Sequence, residues 1–151
     1  HDVGDGGITV GFGIFVTEND NDRIQKLEEL GIIWYDTNQW VDFETLLQAY
    51  NMFSNYYSDI VDQLITRTNA HLTQQQYDAL YFLAYNRPAL FKPGGTIENL
   101  ILSNANREEW EEAILAEYKL LKGWDVNKNG WTNRIKDALE LYFYGDYIRN
   151  Y

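Results

Sequence analysis

The strongest constraint on this chain is a single long period in its middle. After Asp42, apolar residues recur at steps of three and four: Leu46, Tyr50, Phe53, Tyr57, Ile60 or Val61, and Leu64. That spacing predicts a helix capped by Asp42 and running to about Thr68. At ~1.5 Å per residue such a helix spans close to a whole small domain. In a chain of 151 residues its natural role is a spine, with residues 1–41 on one side and 69–151 on the other. This length suits one compact domain, or two small lobes that share a helix. With 45% hydrophobic residues and two prolines, the chain is expected to fold rather than stay disordered.

Everything after the spine reads as helix. Thr73-Gln74-Gln75-Gln76 is a capping box, with Thr at the N-cap and Gln three residues on. The helix behind it carries Tyr77, Leu80, Leu83 and Ala84 and stops at Asn86-Arg87-Pro88. Lys92-Pro93-Gly94-Gly95 breaks the chain before a short helix from Thr96 with Ile97, Leu100 and Ile101. Asn106, with Glu109 three residues on, caps the next, whose stripe is Trp110, Ala113, Ile114, Tyr118 and Leu121. A polar turn is expected over Gly123–Gly130, after which Thr132 caps a last helix. Its inward face is Ile135, Ala138, Leu139, Tyr142 and Phe143, and Gly145 ends it.

The front of the chain is different. Asp5-Gly6 favours a type I′ turn, which requires positive φ at both central positions. With Asp2-Val3 on one side and Ile8-Thr9-Val10 on the other, the segment reads as a tight β-hairpin. Gly11 and Gly13 flank Phe12 and permit close backbone approach, and Ile14–Thr17 can supply a third strand. Asp20 or Asn21 then caps a helix from Arg23 to Leu30, with Ile24, Leu27 and Leu30 as its stripe and Gly31 as its stop. Trp34, Tyr35 and Trp40 cluster in the irregular stretch that follows. The expected class is therefore α+β and mostly helical: a small β-hairpin or meander lobe, a long spine helix and an all-helical lobe.

Composition narrows the chemistry. A net charge of −11 argues against nucleic acid or an anionic membrane as partner. No run approaches the ~18 apolar residues of a membrane span. The absence of cysteine excludes a disulfide framework and a thiol nucleophile. His1 and His71 lack zinc-type spacing. Asp125-Val126-Asn127-Lys128-Asn129-Gly130 matches the first half of a calcium loop, but Lys136 stands where the bidentate Glu belongs. Gly11-Phe12-Gly13 lacks the following helix that a phosphate loop needs. The 12 Tyr and 5 Trp suit the CH faces and hydroxyls of sugar rings, although most are expected in the core or at its rim.

Carboxylates remain. An inverting glycosidase needs a protonated acid at the leaving oxygen and a second carboxylate that positions water on the far face. Asp2 and Thr9, on opposing hairpin strands, are placed to hold such a water, Asp taking its proton and Thr hydrogen-bonding it. His1 is neither a start residue nor part of a signal peptide, and the chain opens inside the expected hairpin. A fragment of a longer protein is the expectation.

Three motifs, in order, resemble the phage-type lysozymes, glycoside hydrolase family 24. Asp2-Val3-Gly4 with Thr9-Val10-Gly11-Phe12-Gly13 fits the family's D-x-x-G…T-[IV]-G-[YF]-G. Leu72-Thr73-Gln74-Gln75-Gln76-Tyr77-Asp78-Ala79-Leu80 with Ala84-Tyr85-Asn86 is similar to its L-T-x-x-Q-[FY]-D-A-L…A-Y-N helix. Gly130-Trp131-Thr132-Asn133-Arg134 resembles its G-L-x-N-R motif.

The resemblance implies a lysozyme-like fold and a muramidase that cleaves the β-1,4 bond from N-acetylmuramic acid to N-acetylglucosamine with inversion. It implies Asp2 as the water-positioning base and Thr9 as its partner. Gly11, Phe12, Gly13, Tyr85 and Asn86 would line the cleft, and Asn133 and Arg134 would brace it. It implies no metal or cofactor, bacterial peptidoglycan as substrate, and a place at the bacterial cell wall as a phage endolysin or tail-associated lysin, alone or with other domains.

The sequence also departs from the family. The general-acid Glu should precede Asp2, and no residue here fills that position. Glu18 follows the strands instead of preceding them. Ile14 stands where the family often has His, Asn86-Arg87-Pro88 replaces Y-N-x-G, and Asn133-Arg134-Ile135 replaces N-R-R. The alternative is a non-catalytic glycan-binding or structural domain on the same fold.

Overall fold

The computed structural model describes residues 7–10, 14–36 and 38–148, and for Ile8, Thr9 and Phe15 the backbone alone. The chain divides into two compact units, 1–56 and 57–151. The boundary falls inside the long helix, between Tyr56 and Tyr57. Among the described residues the protein is mostly helical, with six α-helices and a single two-stranded ladder.

In the first unit, β1 (Ile8–Val10) pairs antiparallel with β2 (Ile14–Val16), Ile8 opposite Val16 and Val10 opposite Ile14. The β-rich run at Ile14 thus forms a strand. The expected Asp2-Val3 strand and Asp5-Gly6 turn lie outside the described residues. Among the described residues the β structure amounts to three residues per strand, so the α+β description shrinks to a mostly helical one. α1 (Asn21–Glu29) starts where Asp20 accepts a hydrogen bond from the Arg23 amide. Gly31, at φ +78°, ends it. Leu27, Ile32, Ile14 and Val16 are buried, as is Arg23, which pairs with Asp20 at 3.2 Å.

α2 (Phe43–Thr68) is the predicted long helix. Asp42 caps it by accepting from the Thr45 amide at 2.7 Å. Its buried stripe is Ala49, Phe53, Tyr57, Val61 and Leu64. Tyr50 departs from the sequence expectation, and the open choice between Ile60 and Val61 is decided. Tyr50 is 43% exposed while Ala49 is buried, and the stripe takes Val61, leaving Ile60 half-buried. A tyrosine carries a polar tip that favours the wet edge of a stripe, while alanine disappears under its neighbours without one.

The second unit is all helix. α3 (Gln74–Asn86) begins with both halves of its capping box made. It ends because Pro88 drives Arg87 out of the α region, to φ −149° and ψ 86°. A 3₁₀ turn (Pro88–Phe91) leads through Gly94 to α4 (Thr96–Leu102). Gly95 is required there, because a Cβ would meet the Lys92 carbonyl oxygen at 2.7 Å. The buried Glu98 carboxylate accepts from Arg67 Nε at 3.2 Å and from the Gly94 amide, and Arg67 Nη2 donates to the Phe91 carbonyl. α5 (Arg107–Lys119) opens on the Asn106–Glu109 capping box.

α6 corrects the sequence expectation most sharply. It runs without interruption from Trp124 to Tyr144. Asp125–Gly130 forms neither the expected polar turn nor a calcium loop, and Thr132 is an interior residue instead of a cap. The helix can start early because Gly123 adopts the left-handed region at φ +89°, turning the chain sharply just after α5. It can pass Gly130 because α3 and α5 both pack on it, and packing outweighs the ~1 kcal/mol that a helical glycine costs. Ile135, Ala138 and Leu139 form its buried stripe and Gly145, at φ +69°, its stop.

A Cβ added at Gly130 meets nothing within 4 Å. Gly130→Ala is therefore expected to stabilise the protein by about 0.5–1 kcal/mol, raising Tm by a few degrees. Thermal melting followed by circular dichroism checks this. A lowered Tm would mean that Gly130 does not sit in a helix interior.

Candidate functional site

Of the residues implied by the family resemblance, Asp2, Gly11, Phe12 and Gly13 lie outside the described residues. Thr9 sits at the centre of β1, its backbone opposite Phe15. Glu18 is exposed just beyond β2. Tyr85, Asn86, Asn133 and Arg134 all belong to the second unit, where their surroundings are defined.

Tyr85 and Asn86 occupy the last turn of α3. The Tyr85 ring meets Tyr57 edge-on, with centroids 5.2 Å apart. Asn86 Nδ2 donates to the Phe82 carbonyl at 2.7 Å, so its amide folds back along its own helix. Asn133 and Arg134 lie in the middle of α6, half-buried and exposed respectively. Two residues beside these motif positions, Arg87 and Trp131, meet at a residue that the sequence assigned only to a packing stripe, Tyr118 in the last turn of α5.

Tyr118 is 6% exposed, and its ring packs against Trp131 at 5.5 Å. Trp131 in turn lies 6.3 Å from Trp124. The Arg87 guanidinium carbon stands 5.9 Å from the centre of the Tyr118 ring, within reach of a cation–π attraction. Burial pushes the Tyr118 phenol up to about 12, against the opposing fields of Arg87 and Arg134. Both cations therefore act on the same phenol.

Neither Arg87 nor Arg134 makes an ion pair among the described residues, although the chain carries 23 acidic side chains. The contrast with the other described arginines is plain. Arg23 pairs with Asp20 and Arg67 with Glu98, while Arg107 holds Glu111 at 2.8 Å and Glu140 at 2.7 Å. The Nε of Arg87 is buried with no hydrogen-bond partner, a state that costs about 1–3 kcal/mol.

Sequence reasoning passed over Arg87, Tyr118 and Trp131 as parts of one site. A usable signal was present for Arg87, since no acidic residue lies three or four positions away on either side. For Tyr118 there was none, because an aromatic at stripe spacing reads as core.

A second surface is already satisfied. An open groove along the end of α2 is lined by Asp59, Asp62, Gln63, Thr66 and Arg67. There Asp62 accepts from the Tyr77 hydroxyl at 2.9 Å, and Arg67 is committed to Glu98 and Phe91. Among the described residues no group of three His, Cys, Asp or Glu side chains is arranged to hold a metal ion. No helix described is long and apolar enough to cross a membrane. No family model, curated protein or solved structure matches the chain.

A phenol raised to about 12 makes stability fall with pH. The unfolded chain ionises from about pH 10 while the folded chain keeps its proton, so stability is full below 10 and declines towards 12. Over that window the wild type is expected to lose about 2–3 kcal/mol more than Tyr118→Phe, at about 1.4 kcal/mol per unit. Urea titrations at both ends of the window measure it. Equal losses would mean that Tyr118 is solvated.

Proposed function

We propose that the chain is the lysozyme-like domain of a peptidoglycan hydrolase, cleaving the β-1,4 bond between N-acetylmuramic acid and N-acetylglucosamine with inversion. The observation that carries this is the ordered set of three motifs resembling phage-type lysozymes, spread over nearly the whole chain. Two features of the second unit support it. Arg87, directly after A-Y-N, and Trp131, two residues before Asn133, both approach one residue, Tyr118. The helix that begins at Thr73 is capped as its motif requires.

In this proposal Asp2 takes a proton from the attacking water while Thr9 hydrogen-bonds it, and a general acid on the opposite face protonates the leaving oxygen. Each step is general acid–base chemistry and needs no metal. Trp40 and Tyr35, 83% and 65% exposed, offer the rings that sugar CH faces stack on. The acidity of the chain suits a wall-degrading protein delivered by other modules, such as a tail-associated lysin, which needs no electrostatic attraction to an anionic wall. The site of action is the bacterial cell wall, outside the cytoplasm.

The test uses the polypeptide as its gene encodes it, with purified peptidoglycan and release of reducing ends as the readout. Asp2→Ala is expected to lower the rate by about 10²–10⁴-fold. Unchanged turnover in that variant contradicts the assignment of the base. Retention on peptidoglycan without release of reducing ends, in the wild type, would replace the hydrolase with a glycan-binding domain on the same fold.

A further inference from the structure

The charge of this protein is unevenly spread. Residues 119–136 hold Lys119, Lys122, Lys128, Arg134 and Lys136 against Asp125 alone, in a chain whose net charge is −11. Lys119, Lys122, Lys128 and Arg134 are exposed. At 100° per residue, Trp124, Asn127, Lys128, Trp131 and Arg134 fall within a sector of about 120° on α6. Cations on this face therefore border the Trp131–Tyr118 ring pair. Arg87 reaches the same rings from the end of α3.

Two guanidiniums with no carboxylate partner among the described residues, one with an unmet buried donor, are incomplete in a strongly acidic protein. Arg is the side chain whose planar fork suits a carboxylate or phosphate, and beside an aromatic ring it binds in a less hydrated setting. Conformational strain does not account for their freedom. Arg87 is fixed by the proline that follows it, and Arg134 extends from the middle of a regular helix. What the pair lacks among the described residues is an anion.

We propose that Arg87, Arg134 and the Tyr118–Trp131 rings form an anion-binding site, and that its ligand is a free carboxylate of a peptidoglycan peptide stem. The carboxylate forms charge-assisted hydrogen bonds to the guanidiniums, and the apolar part of the terminal residue lies against the Trp131 ring. Lys128 and the lysines at the α5–α6 corner steer the anion in, against the repulsion of the rest of the chain. The carboxylate's source rests on the wall-hydrolase function proposed above. The anion site itself stands on the arginines alone.

The experiment titrates the chain with N-acetyl-D-alanyl-D-alanine, with its C-terminal amide and with inorganic phosphate, following the Trp131 indole N–H by NMR. The free acid is expected to shift this resonance saturably, the amide is not, and phosphate is expected to bind more weakly than the acid. Arg134→Gln alters an exposed residue and keeps the fold, which the dispersion of the other indole signals confirms. It should weaken the acid at least tenfold, and Arg87→Gln should do likewise. No shift with any probe overturns the site, as does equal affinity for acid and amide or an Arg134→Gln protein that binds as well as the wild type. Phosphate binding tighter than the acid overturns the peptide-stem assignment. A saturable shift with the acid, but no retention of the chain on purified peptidoglycan, keeps the site and removes the wall-hydrolase function instead.

Discussion

The second unit depends on α6 being held along its whole length. At its C-terminal end the buried Trp110 ring meets Tyr142 at 4.6 Å and Phe143 at 5.9 Å. Arg107 clamps the same end of α5 to Glu140. Ile114, Ile135 and Leu139 close the space between. Burying a large apolar side chain is worth about 1.5–3 kcal/mol, so a few such contacts outweigh the helix-breaking tendency of Gly130 and of the asparagines around it. Because α6 is continuous, Trp131 and Arg134 have a fixed register relative to that packed end. Their approach to Tyr118 follows from the register.

Much of this was written locally in the sequence. Capping at Thr73 and Asn106, the stop at Pro88 and the terminators Gly31 and Gly145 depend on a residue's own backbone and its near neighbours, and each appears where those residues stand. The start of α6 did not, because Asn127, Asn129 and Gly130 favour turns when taken alone. Only the tertiary packing of α3 and α5 against the helix decides between the two, and no local pattern carries that information. The same distinction explains Ala49 and Tyr50, where the period was legible but the exact face was not.

The candidate site divides in the same way. Tyr85, Asn86, Asn133 and Arg134 could be singled out from short motifs, whereas Tyr118, which lies between Arg87 and Trp131, could not. Tyr118 has the spacing of a core aromatic and is in fact buried; its second role appears only from the cations set around it. Arg87 stands at the open position of the family's Y-N-x-G, whose glycine is Pro88 here, and in the structure its guanidinium stands over the Tyr118 ring. The carboxylate chemistry assigned to Asp2 and Thr9 and the cation–aromatic cluster of the second unit are separate components of the proposed glycan hydrolase, one for water and one for an anion.

The central structural claim is that α3, α5 and α6 bring Arg87, Tyr118 and Trp131 together. Proton–proton nuclear Overhauser contacts measure it most directly. Cross-peaks from the Tyr118 ring protons to the Arg87 side-chain methylenes and to the Trp131 indole are the predicted result. A Tyr118 ring that shows contacts to neither would contradict the account.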